Sequence, residues 1–244
     1  MAIRTTNENP LAPGRRTAVA AAALLLLVVM GGAPAGAQAP QVQMPQPTVP
    51  EIFSLEGEWV RIAYNNEGFV SLGYRMAQEQ IGQEWMLLEV GVTLRKPTKD
   101  FKLNRTGISI KTPDGKTIPL ATQQEYRGGM GAISSLNMRA KVIVDSINYF
   151  PADASQACAL RFFADDRGPG LSWDETELSY QRVCLGRLYF KVPGGIQVGQ
   201  HWLVIKFATS ELQVPFRTLS KEDEKLFSKK WNDIKKQHEA ALKQ

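Results

Sequence analysis

Val183-Cys184-Leu185-Gly186-Arg187-Leu188-Tyr189-Phe190-Lys191-Val192-Pro193-Gly194-Gly195 decides the fold class, together with His201-Trp202-Leu203-Val204-Ile205-Lys206-Phe207 a few residues on. Both runs are rich in β-branched and aromatic residues, which suit a pleated, half-buried surface. The Pro-Gly-Gly break ends the first run before the second begins. In the second, Leu203, Ile205 and Phe207 share one face, as a strand with that face on a core requires.

The same period of two extends outward from this pair. Over residues 84–94, Met86, Leu88, Val90, Val92 and Leu94 alternate with Trp85, Leu87, Glu89, Gly91 and Thr93. One face is continuously apolar and the other mixed, which predicts a strand with a single face on the core. Residues 58–64, 69–76 and 157–163 are further strand candidates. Residues 108–112 and 117–120 flank Pro113-Asp114-Gly115-Lys116, a turn signal that predicts a hairpin. Pro119 and Pro215 cannot donate to a ladder, so they predict edge strands or a bulge. In the latter's run, residues 212–218, Leu212, Val214 and Phe216 line one face. Residues 121–140 break the pattern with Arg127-Gly128-Gly129-Met130-Gly131 and a helical turn over 134–140. Val142-Ile143-Val144 then returns to β-branched residues. The expected architecture is mainly β, an antiparallel two-layer sandwich.

The ends carry other signals. Arg4, Arg15 and Arg16 precede an apolar run from Ala18 to Met30, shorter than the ~20 residues that span a bilayer. Ala35-Gly36-Ala37 then fits a small-residue cleavage site. Residues 1–37 are therefore read as a signal peptide for the general secretory route, since Arg15-Arg16 matches a twin-arginine signal only in part. Removing them takes three Arg and one Glu from a formal charge of +5, leaving +3. That dispersed charge does not predict a nucleic-acid partner, which calls for a clustered basic stripe. Residues 38–50, with Pro40, Pro45, Pro47 and Pro50 among glutamines, read as an extended linker. Residues 51–219 are left for the β-sandwich domain and 220–244 for a C-terminal helix. Ser220-Lys221-Glu222-Asp223 resembles a capping box. Phe227, Trp231, Ile234, His238 and Ala241 recur in three- and four-residue steps. They form a narrow apolar stripe that either docks on the sandwich or contacts a partner.

Cys158 and Cys184 are the only cysteines, and an exported chain predicts that they form a disulfide. Trp173 lies between them, but the antibody-type core is not expected. Only 26 positions separate the pair, and Arg182 stands where that family carries a Tyr two residues before the second Cys. The bridge instead ties neighbouring strands or clamps the acidic loop between them.

Chemistry-bearing motifs are sparse. His201 and His238 have no second ligand at metal spacing, no G-x-S-x-G elbow occurs, and no phosphate-cradling Gly loop is present. No cofactor is expected. Asp165, Asp166, Asp174 and Glu175, with Glu177, are oxygen-rich enough to consider for calcium, yet they lack an EF-hand's spacing. A solvated acidic loop is the expectation. Trp85, Trp173, Trp202 and Tyr189 are the rings available for stacking on sugar.

Residues 84–94, the Pro113-Asp114-Gly115 turn, Gly186, Leu188, Phe190, Val192 and Pro193 in a G-x-L-x-F-x-V-P arrangement, and residues 202–207 together resemble secreted bacterial immunoglobulin-like domains of unknown function. The resemblance covers about half of the chain after residue 37. It implies an immunoglobulin-like antiparallel β-sandwich and carries no catalytic residues; residues 121–182 and the C-terminal amphipathic α-helix depart from it, so the expected fold is that sandwich with the helix appended. The expected protein is an exported, non-enzymatic envelope domain, periplasmic or secreted. It contacts another envelope protein and is not integral to the membrane once its signal is cleaved. A carbohydrate or cell-wall ligand-binding module is the alternative, and a hydrolase using dispersed carboxylates a further one.

Overall fold

In a computed structural model of the chain, residues 51–143, 145–164 and 171–241 are described, with side chains through Asp233 and at Lys236. The signal peptide and linker assigned to residues 1–37 and 38–50 lie outside the described residues.

Among the described residues twelve strands form three sheets. The largest has six, in the order β1 (Ile52–Gly57), β2 (Val60–Tyr64), β3 (Gly68–Gly73), β4 (Trp85–Leu94), β10 (Arg182–Lys191) and β8 (Gln156–Ala159). A four-stranded sheet runs β12 (Glu211–Thr218), β11 (Gly199–Lys206), β6 (Ile108–Lys111) and β7 (Thr117–Pro119). The remaining strands, β5 (Phe101–Asn104) and β9 (Glu175–Leu178), form a ribbon. The chain is thus mainly β, and the central late strands lie where their periodicity predicts. Among the named strands of the described residues, every pairing but one is antiparallel. β8 runs parallel to β10, pairing Cys158 with Cys184. Parallel neighbours need a long crossover, and residues 160–181 supply it.

Both prolines behave as their missing N–H requires, because Pro119 lies in edge strand β7 and Pro215 in edge strand β12. The β6–β7 hairpin forms at the predicted turn, with Gly115 at φ +81°, a left-handed conformation that a residue without Cβ adopts freely. Other boundaries moved. Residues 75 and 76, which the periodicity places at the end of a strand, instead open helix α1 (Arg75–Glu79). Val142 and Ile143 lie in a turn after helix α3 (Met130–Arg139) rather than in a strand.

The principal difference from the sequence reading concerns β4. Its even-numbered face is apolar and fully buried, as predicted, but the mixed face is covered too. Leu87 and Thr93 are 0 % exposed. Thr93 donates to the Ser179 carbonyl at 3.2 Å, and much of the remaining cover comes from residues 121–150. Helix α2 (Gln123–Gly128) opens with a capping box in which Thr122 and Glu125 exchange hydrogen bonds, and α3 follows it. Ile133 and Leu136 of α3 are buried, and the hydroxyl of Tyr189 donates to Asn137 at 2.5 Å. Arg187 donates to the Ala140 carbonyl at 3.0 Å and lies 3.4 Å from Glu89. Burial pushes the Glu89 carboxyl above its ordinary range, with Arg187 opposing. A Cβ on Gly91 would stand 2.3 Å from the Phe150 ring, so the chain crosses this face only because the strand carries a glycine there.

Helix α4 (Lys221–Ala241) begins on the same core. Ser220 accepts from Asp223 N at 3.1 Å, which confirms its N-terminal cap. Phe227 lies 5.6 Å from the buried Trp59 ring, and Ser228 hydrogen-bonds to Glu58. Gln78 accepts from Leu219 N at 2.7 Å and donates to the Leu219 carbonyl at 3.0 Å. The first turns of the helix therefore dock. Among the described residues no helix is long and apolar enough to cross a membrane.

Candidate functional site

The Cys158–Cys184 disulfide forms as predicted. It joins adjacent strands in direct register and stands at the root of the acidic segment. Asp165 and Asp166 lie outside the described residues. The other acidic side chains each face a cation: Asp174 pairs with Arg105 at 3.0 Å, Glu175 with Lys102 at 2.7 Å, and Glu177 with Arg182 at 3.5 Å. Asp174 and Glu175 are held by these cations, and among the described residues no group of three metal-ligating side chains converges.

Arg105 organises this region. It is 9 % exposed, and its guanidinium donates to the carbonyls of Ala121 (2.6 Å) and Phe162, and to Asp174. The cation also lies 4.8 Å from the Phe163 ring, within range of a cation–π contact. Phe163 in turn meets Tyr126 of α2 and Tyr189 of β10, with ring centroids 4.7 and 5.0 Å away. One side chain thereby fixes the start of α2, the crossover and the outer face of the large sheet.

Of the four rings considered for sugar stacking, Trp85, Trp202 and Tyr189 are buried, and only Trp173 is broadly exposed, at 53 %. Of the helix residues assigned to partner contact, Phe227 packs on Trp59. Trp231 is half-buried, 6.4 Å from Phe227. The side chains of Ile234 and His238 lie outside the described residues.

His201 is fully buried in β11, stacked 5.2 Å from Phe216, with Nδ1 3.1 Å from the Gly199 carbonyl and Nε2 without a partner among the described residues. Burial lowers its pKa from 6.5 to about 4, against the opposing effects of the Gly199 carbonyl and Asp114. The folded state therefore favours neutral imidazole, and the unfolded chain binds the extra proton between these values. Its contribution is complete above pH 6.5 and is lost as pH falls toward 4, about 3 kcal/mol in all. Chemical denaturation across that interval should show stability rising with pH, and His201→Phe should flatten the slope. An unchanged slope in the variant would assign the dependence to other groups.

Two surface features have no counterpart in the sequence reading. At one end of the six-stranded sheet, edge strand β1 exposes Ile52, Phe53 and Leu55 at 51, 45 and 40 %. Phe53 and Leu55 continue the rows of Ala63–Val70–Val92 and Arg61–Leu72–Val90, so they extend the inner face past the cover that buries Val70 and Leu72. The second feature is a cleft of about 430 Å³ between α3 and the connection from α1 to β4. Glu79, Gln80, Gln83, Glu84, Trp85 and Arg139 are among its lining residues. Gln80 is 6 % exposed, and its side-chain nitrogen has no hydrogen-bond partner among the described residues. These residues come from segments some fifty positions apart, so no local spacing connects them. The glutamine-rich run Gln78, Gln80, Gln83 was the available clue, hidden because residues up to 76 read as strand.

No family model matches the chain, no curated protein matches its sequence, and no solved structure matches its fold.

Proposed function

We propose that the chain is an exported, non-enzymatic domain of the bacterial cell envelope, an immunoglobulin-like sandwich that binds another protein through the β1 edge. The observation that carries this reading is the exposure of Ile52, Phe53 and Leu55 on a terminal strand. An open edge offers unpaired N–H and C=O groups, and proteins that do not use one blunt it with charge, proline or a covering element. In β1, Glu56 is the only charged residue and there is no proline. Strand addition recognises both features of β1, its backbone ladder and its alternating apolar side chains. The disulfide supports an oxidising compartment, periplasmic or secreted. The late G-x-L-x-F-x-V-P strand supports the immunoglobulin-like reading.

A photo-crosslinking residue at position 53, in cells making the full chain, should give one discrete protein adduct. Leu55→Lys should remove that adduct while leaving the melting temperature unchanged. The same adduct pattern from a crosslinker at Val142, which is 85 % exposed on the opposite face, would show collisional labelling and sink the proposal.

A further inference from the structure

The geometry points to the cleft between α3 and the α1–β4 connection as a binding site for a neutral, hydroxyl-rich ligand, a mono- or disaccharide. This goes beyond the protein-contact reading and does not depend on it. Its volume of about 430 Å³ falls within the range of small-molecule sites, about 300–1,000 Å³. The chemistry of its lining narrows the ligand class. Glu79 and Glu84 are acceptors only, Arg139 is a donor only, and Gln80 and Gln83 offer both. None of the three charged groups forms an ion pair with another described residue. Among the described residues their side chains also make no hydrogen bond, so that capacity is left for a ligand.

An anion would meet two carboxylates in this cleft, and a simple cation would meet the Arg139 guanidinium. An apolar ligand would bury charged groups without replacing their hydrogen bonds, which costs free energy. A hydroxyl group donates and accepts at once, so adjacent sugar hydroxyls satisfy carboxylate, guanidinium and carboxamide alike. The unpartnered nitrogen of Gln80 is the strongest single indicator. A buried donor left unsatisfied carries a desolvation cost, and a ligand hydroxyl accepting from it would remove that cost. Trp85 and Leu136 supply the apolar part of the lining.

The test is a ¹H–¹⁵N titration of the purified protein with glucose, cellobiose, N-acetylglucosamine and chitobiose, with glycylglycine as a zwitterionic comparison. At least one saccharide should move the Trp85 indole and the Gln80 and Gln83 amide signals saturably at millimolar concentration, and glycylglycine should not. Arg139→Ala and Glu84→Gln both alter exposed side chains, so folding is retained. Each should weaken the saccharide at least tenfold. The inference is overturned if no saccharide gives saturable shifts, if glycylglycine alone does, or if both variants bind as the unaltered protein does.

Discussion

Replacing Arg105 with Met should destabilise the protein by about 3–4 kcal/mol, the largest effect expected from any single substitution considered. The side chain is buried and donates to two carbonyls, those of Ala121 and Phe162. Met fills similar volume but donates nothing, and each stranded carbonyl costs roughly 1–3 kcal/mol. The ion pair with Asp174 contributes little by comparison, because that carboxylate is 76 % exposed and pairs of this kind are worth under about 1 kcal/mol. Asp174→Ala should therefore leave the unfolding midpoint nearly unchanged. Arg105→Lys should recover only part of the loss, since one ammonium cannot reproduce the planar fork. Urea denaturation of the three variants separates the effects. If Asp174→Ala proves as damaging as Arg105→Met, the charge pair rather than the carbonyl anchoring holds the crossover.

Removing the disulfide should cost roughly 3 kcal/mol on the chain-entropy model, given the 26-residue separation of Cys158 and Cys184. The double substitution to Ala avoids placing a polar atom at position 184, which is fully buried. The loss should be uneven. β8 has four residues, lies at a sheet edge and is largely exposed, whereas β10 is paired on both sides. Local opening follows weak burial and few partners. Amide exchange over residues 156–159 should accelerate well before exchange in β10 changes. Equal protection of β8 with and without the bridge would mean that its ladder with β10 suffices to hold it.

Legibility in the sequence varied with how local the determining physics is. The two late strands, the hairpin around Pro113-Asp114-Gly115, the edge positions of Pro119 and Pro215, and the capped start of α4 follow from spacing and backbone chemistry within a few residues. So does the inner face of β4. Its outer face does not, because Trp85, Leu87, Glu89, Gly91 and Thr93 look like a half-solvated row. Much of what covers them comes from residues 121–150, and only Gly91 hints that another chain segment passes close by. Arg105 was invisible for a related reason: its partners at Ala121, Phe162 and Asp174 are backbone and side-chain groups brought in from three other segments. The cleft residues share this property, joining positions 79–85 to 132–139.

The sequence by itself determined that the chain is mainly β, that its two cysteines pair, and that a capped helix begins after Ser220. Periodicity, turn chemistry and the scarcity of cysteine act locally or leave little choice of partner. Only the tertiary structure decided that β8 runs parallel to β10 and that the 121–150 segment forms an outer layer. It also decided that Arg105 gathers the crossover and that β1 overhangs the inner face. Each of these depends on which distant segment covers a given surface. That choice is set by packing of the whole chain, not by the propensity of any one stretch.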